Sequence, residues 1–406
     1  MTITRRDLLR SALATTVVGA VAGHAALPPV RAITTGPKFH WFGYYDKLQF
    51  DPSSRYALGM ELDFQGRTPL PTDTIRLGMI DTEEGDRWSE IGTSYAWCWQ
   101  QGCMLQWIPG SKSEVIWNDR EGGRFVTRIL DVRTGKRRTL PQQFYCLSLD
   151  GRTALATDLA RVHDTYAGYG YAGVPDPNRD VAAPRDSGVW RMDLATGESR
   201  LLFSIYDVLQ IPFPFGYPEG AKHWLLHLLF SPDGSRFAFL HRWRVGNESL
   251  GPFWTRMITA DCDGKDLYEV DPSGETSHFI WRDPEHILAW TWRPYNGERF
   301  YLLTDKTDRA MVVGPDVMTK NGHCSYLPGN RYILNDTYPD EKRLQHVYLY
   351  EVATGRRLPL GDFYSSPSYM HEFRCDTHPR FSPDGRKVVI DSPHGGDGRQ
   401  MYLLNI

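Results

Sequence analysis

Four histidines stand three residues ahead of an aromatic residue that opens a turn: His227 before Phe230, His278 before Trp281, His323 before Tyr326 and His378 before Phe381. Two of these stretches, HLLFSPDG at 227 and HPRFSPDG at 378, are near copies of each other. Neutral imidazole binds divalent transition metals well, so three or four rings converging on one point suit zinc or manganese. A single histidine before such a turn is more often a hydrogen-bonded structural residue; four in register argue for ligation. On this reading His278, His323 and His378 hold the metal, and His227 is a fourth ligand or a base. Cys375, in CDTHP, and Cys324 are candidate additional ligands. Neighbours on a regular strand point to opposite faces, so His323 and Cys324 should not both ligate.

Other side chains suit an acidic ligand. FLHRWRVGN carries Arg242 and Arg244 on one face of a strand, with His241 and Trp243 on the other. Arginine forks hold carboxylates and sulfates in bidentate fashion, although a salt-bridged surface is the plainer use of such a pair. His163 lies in a segment rich in tyrosine and glycine, with Tyr166, Tyr169 and Tyr171, whose composition suits an adaptable rim around sugar rings. HWFGYYDK at 40 and YAWCWQQG at 95 add further aromatics, most of them suited to packing. No nucleophile elbow, phosphate-binding loop, HExxH helix or dinucleotide fingerprint occurs in a suitable setting.

Convergence of these residues requires a repeat, and the chain has one. Turn clusters FDPSS, WIPGS, LSLDG, FSPDG, WRDPE, YLPGN and FSPDG begin at residues 50, 107, 147, 230, 281, 326 and 381. A second series, DTEEG, DVRTG, DLATG, DCDG, TDKTD and EVATG, follows the first six. Between them run short β-rich segments such as SRFAFLH and RKVVID, and long amphipathic helical patterns are missing after the N-terminus. Seven such units predict an all-β, seven-bladed β-propeller of four-stranded blades. The histidine position then falls at or just before the innermost strand of each blade, beside the central channel. In the first three units it holds Lys47, Met104 and Phe144. Insertions at 159–190 and 204–224 exceed ordinary turn length, which favours a functional role.

The chain of 406 residues has 41% hydrophobic content, enough for a packed core, and a net charge of −3, which argues against nucleic-acid binding. TRRDLLRSALATTVVGAVAGHAA at the N-terminus combines Arg5 and Arg6 with a mild apolar stretch and small residues. That pattern describes a cleavable signal peptide over 1–32, of the type read by the twin-arginine export machinery, with the propeller over 33–406. It predicts a periplasmic or extracellular protein without a membrane span in the mature chain. Six cysteines are too few for a disulfide scaffold of this length, and their pairing is not legible.

The stretches HLLFSPDGSRFAFLHRWR, SHFIWRD, GHCSYLPGNRYILNDTYP and CDTHPRFSPDGRKVVIDSPHGGDGRQMY together resemble the propeller-fold polysaccharide lyases, oligogalacturonate lyases and propeller ulvan lyases among them. The resemblance spans 38–406 as architecture and is carried by motifs from 222 onward. It implies β-elimination on a uronate-containing acidic oligo- or polysaccharide, with the carboxylate neutralised by a metal or by His, Arg or Gln. It also implies that His323 and His378 occupy two of the metal positions of the oligogalacturonate lyases, which use histidines and a glutamine. His163, with Arg242 or Arg244, resembles part of the ulvan lyase set. The proton-abstracting group is left open among Tyr171, Tyr45 and His227. The catalytic expectation is therefore His163, His227, Arg242 and Arg244. The alternative is a non-catalytic periplasmic propeller that binds a glycan or protein and holds a structural metal.

Overall fold

The computed structural model describes residues 27–246 and 249–406. Among these, 28 strands form seven four-stranded antiparallel sheets, as the two series of turns predict. Arg5, Arg6 and the rest of the expected signal up to residue 26 lie outside the described residues. No helix among the described residues is long and apolar enough to cross a membrane.

The turns form for legible reasons. In the first series an Asp or Ser side chain folds back on the backbone: Ser231 Oγ accepts from the Arg236 amide at 3.1 Å, and Ser382 Oγ does the same for Lys387 at 3.0 Å. In the second, Asp131 and Asp193 each accept two amides two and three residues on, which lowers both carboxyls below their usual range. The glycine closing these turns, Gly135 or Gly197, sits at φ 74° or 77°, a conformation that side chains resist.

Six blades are built from consecutive strands. The seventh combines Arg380–Phe381, Lys387–Ser392 and Gln400–Asn405 with Val30–Ala32, whose residues pair with Leu404, Leu403 and Tyr402. The propeller therefore takes in residues 30–32, ahead of the boundary expected at 33. The ring is closed by joining the two ends of the described chain in one sheet, which leaves no unpaired seam between first and last blades.

Two short helices lie in the insertions, Leu159–Thr165 and Ile205–Leu209. The first insertion is ordered by Arg161, which is fully buried. Its guanidinium donates to the carbonyls of His223, Asn178, Val181 and Ala182 and pairs with Asp176 at 3.1 Å. All six cysteines are unpaired; burial pushes the thiols of Cys98, Cys146 and Cys375 up to about 12, so they stay protonated.

Candidate metal centre and binding cleft

The histidine register converges on the axis. The rings of His278 and His323 lie 4.2 Å apart between centroids, and those of His323 and His378 are also 4.2 Å apart. The ligand atoms that lie mutually within 4.8 Å belong to His323, Asp376 and His378. This trio differs from the expected set of His278, His323 and His378: it includes the carboxylate of Asp376, while His278 stands beside it against His323. Cys324 packs between blades with Leu288 and Ile333, and Cys375 is outside the set as well. A signal for Asp376 lay unused in CDTHP, where it stands two positions before His378.

The chemistry of this trio fits a divalent cation. His323 Nδ1 donates to Asp336 Oδ1 at 2.9 Å, which leaves Nε2 with its lone pair. Nε2 of His323 and of His378 are both buried and have no hydrogen-bond partner among the described residues. Asp336 also accepts the His323 amide at 2.6 Å and the Thr377 hydroxyl, so one carboxylate orients histidine, strand and neighbour together. Gly322 permits this approach, since a Cβ there would lie 1.9 Å from the Asp336 carbonyl oxygen.

Local backbone aims the rings. His378, His227 and Met104 occupy the same register position in three blades, and all three have positive φ, at 38°, 55° and 59°. Such conformations are costly for side-chain-bearing residues and are held by the surroundings. At His227 the strand pairing skips, with Leu226 opposite Leu240 and Leu229 opposite Ala238, as a bulge that redirects the side chain. The segment after Trp41 leaves blade one to reach the same axis. Asp391 accepts the amides of Phe42 and Gly43 and pairs with Arg380 at 2.7 Å, which places Tyr44 and Tyr45 among the histidines. Tyr44 stacks on His227 at 5.0 Å and lies 5.2 Å from His378, centroid to centroid.

A cleft of about 360 Å³ opens beside this centre, lined by Tyr166, Tyr169, His227, Arg242, His278 and Arg374 with others. Its inner wall touches the trio: His278 through His323, and Arg374 through an ion pair to Asp376 at 3.1 Å. Arg242 is 4% exposed, its Nε donates to Thr255 at 3.1 Å, and Nη1 is buried without a partner among the described residues. Arg242 and Arg244 do share a strand face, both over Phe253, while His241 and Trp243 pack on the other side with Tyr217. Arg244 is not part of the cleft wall. Burial holds His227, His278 and His378 well below the usual histidine range, reinforced by Arg242 at the first and by His323 at the other two.

The remaining expected residues fall elsewhere. His163 lies on the helix Leu159–Thr165 and lines a second cleft of about 240 Å³ with Thr68, Trp97 and Glu372. Tyr171 accepts from Asn118 Nδ2 at 3.1 Å, and Tyr45 donates to the Phe279 carbonyl at 2.8 Å, so both candidate base hydroxyls are committed to structural bonds. His227 remains, with Nδ1 3.2 Å from the Tyr145 hydroxyl and Nε2 3.5 Å from that of Tyr44. Asp376, Asp336 and Arg374 were not singled out from the sequence.

The architecture is thus a seven-bladed propeller with a histidine–carboxylate centre at its axis. Among solved structures it is similar to an oligogalacturonate lyase in complex with manganese, with a TM-score of 0.66, 15% identity and 94% of each chain covered. It is similar also to an oligogalacturonate lyase from Vibrio parahaemolyticus, with a TM-score of 0.64, 13% identity and coverage of 93% of this chain and 94% of that one. At these identities the likeness is one of fold. No protein-family model matches the chain, and no curated protein matches it in sequence.

Proposed function

We propose that the protein is an exported lyase that cleaves a uronate-containing oligo- or polysaccharide by β-elimination, with a divalent metal, manganese or zinc, held by His323, Asp376 and His378. The observation that carries this reading is the pair of bare, buried Nε2 atoms beside Asp376, next to a cleft into which Arg242 brings an unpartnered Nη1. The manganese complex of the similar lyase fold supports it. A divalent ion bound there would supply positive charge that stabilises the electron-rich carboxylate formed as the uronate loses its C5 proton.

The chain's own groups do the rest. Arg242 and Arg374 hold the uronate carboxylate, and Tyr166 and Tyr169 flank the ring. His227, kept neutral by burial and by Arg242, accepts the C5 proton through Nε2, whose contact with the Tyr44 hydroxyl is the longer one at 3.5 Å. The C5–H electrons form the C4–C5 double bond, the C4–O bond breaks, and the leaving oxygen is protonated from water at the open side of the cleft. The leader with Arg5 and Arg6 supports export by the twin-arginine route.

Incubating the manganese-loaded protein with oligogalacturonate and with mixed uronate glycans tests the reading. A new ultraviolet absorbance from unsaturated uronate ends is expected, and His227→Ala removes it while binding persists. Saturated products would assign a hydrolase instead. Binding without any product would assign the non-catalytic glycan-binding propeller.

A further inference from the structure

The charges lining the cleft are not uniform. At its inner end stand Arg242 and Arg374. At its outer lining stand Glu275 and Glu298, both exposed. Neither carboxylate has a cationic partner among the hydrogen bonds and ion pairs of the described residues, and both line the same cleft. Partial burial, then the charge of Glu298, raises the Glu275 carboxyl above its usual range, as expected for two acids facing the same space.

The position of Glu275 is built. Asp271, fully buried, accepts the hydroxyls of Ser273, Thr276 and Thr291 and pairs with Arg293. The Glu275 amide donates to Ser273 Oγ at 3.1 Å, and the residue bridges to Thr255, the partner of Arg242. Glu298 sits opposite Trp292 in the hairpin His286–Arg293 with Gly297–Thr304, so both share one face. Trp290, two residues earlier, lines the cleft itself, which places Trp292, 42% exposed, just outside the rim on the same face.

We infer that the cleft selects a glycan in which the uronate bound at Arg242 and Arg374 is followed by a sugar without negative charge, seated between Glu275 and Glu298 against Trp292. A run of consecutive uronates would bring its second carboxylate onto the two glutamates, and a sulfated neighbour would meet the same repulsion. The indole offers an apolar face to the ring of a neutral or amino sugar, with the carboxylates as hydrogen-bond acceptors for its hydroxyl or ammonium groups. The inference rests on the uronate-binding reading of the inner end and adds the identity of the next sugar.

The test is calorimetric binding at low ionic strength to the manganese-loaded protein carrying His227→Ala, which prevents turnover. The probes are trigalacturonate and a trisaccharide of one glucuronate and two neutral xyloses. The mixed trisaccharide should bind more tightly. Glu275→Gln with Glu298→Gln, both at exposed positions, should raise trigalacturonate affinity about three- to tenfold, the range for one or two relieved surface charge contacts, and should not raise that of the mixed probe. Trp292→Ala should weaken the mixed probe. Equal or tighter binding of trigalacturonate to the parent, or an unchanged preference after the double substitution, would overturn the inference while leaving the uronate site in place. Binding of neither probe would remove the uronate reading and this inference with it.

Discussion

His323 keeps one nitrogen bare because Asp336 holds the other, and that division of labour suits a buried imidazole to the ligand role proposed for it. Asp336→Asn keeps the shape but offers an amide that no longer fixes the ring and its basicity. It should lower metal affinity about 10- to 100-fold with the fold retained, as read by competition with a chelating dye. Unchanged affinity would show that Asp336 acts on the backbone alone. At this scale the sequence was half legible. The register of His227, His278, His323 and His378 was visible in turn spacing, because equivalent residues of a repeat meet at the axis. Asp336 was not, because it reaches His323 from the far end of the next strand, where no repeat marks it. Tyr44 was hidden for a similar reason, since its approach depends on Asp391 in another blade.

At the scale of elements, blade four departs most from its neighbours. Its two inner strands, Ala221–Phe230 and Arg236–Val245, each run ten residues; Arg242 and Arg244 stand on one face and the buried pair His223 and His241 on the other. Arg256 Nε donates to His241 Nδ1 at 3.0 Å, so His241 must donate through Nε2 to His223 Nδ1, 3.0 Å away. Both rings are therefore neutral. Burial, with Arg161 and Arg256 nearby, pushes His223 down to about 3, and His241 is held well below the usual value by burial and by His223. Unfolding exposes rings that take up protons below about pH 6.5, so this pair costs stability as pH falls from there toward 3. The melting temperature should drop between pH 6.5 and 5, and His223→Gln should flatten that drop; the same slope in both proteins would place the acid sensitivity elsewhere. The alternation of Arg242 and Arg244 against His241 and Trp243 was readable from a two-residue period. The bulge at His227 was not, because a skipped pair leaves no compositional mark.

At the scale of the whole molecule, the blade count followed from punctuation, whereas the closure did not. Val30–Ala32 reads as part of a leader, yet it completes the last sheet across almost the whole length of the chain. Deleting residues through Ala32 should lower the melting temperature by about 2 to 3 °C, since a strand costing a couple of kcal/mol shifts a protein of this size by that much. An unchanged melting point would show that the ring holds without it. Closure matters to the site because His323 belongs to blade six and Asp376 and His378 lead into blade seven, so the candidate ligands meet only when those blades are in register. The most direct measurement is the metal content of the purified protein beside His323→Ala with His378→Ala. Near-stoichiometric divalent metal in the parent, lost from a double variant with an unchanged circular dichroism spectrum, is the predicted result. A folded parent that stays metal-free after incubation with manganese and with zinc would contradict the account.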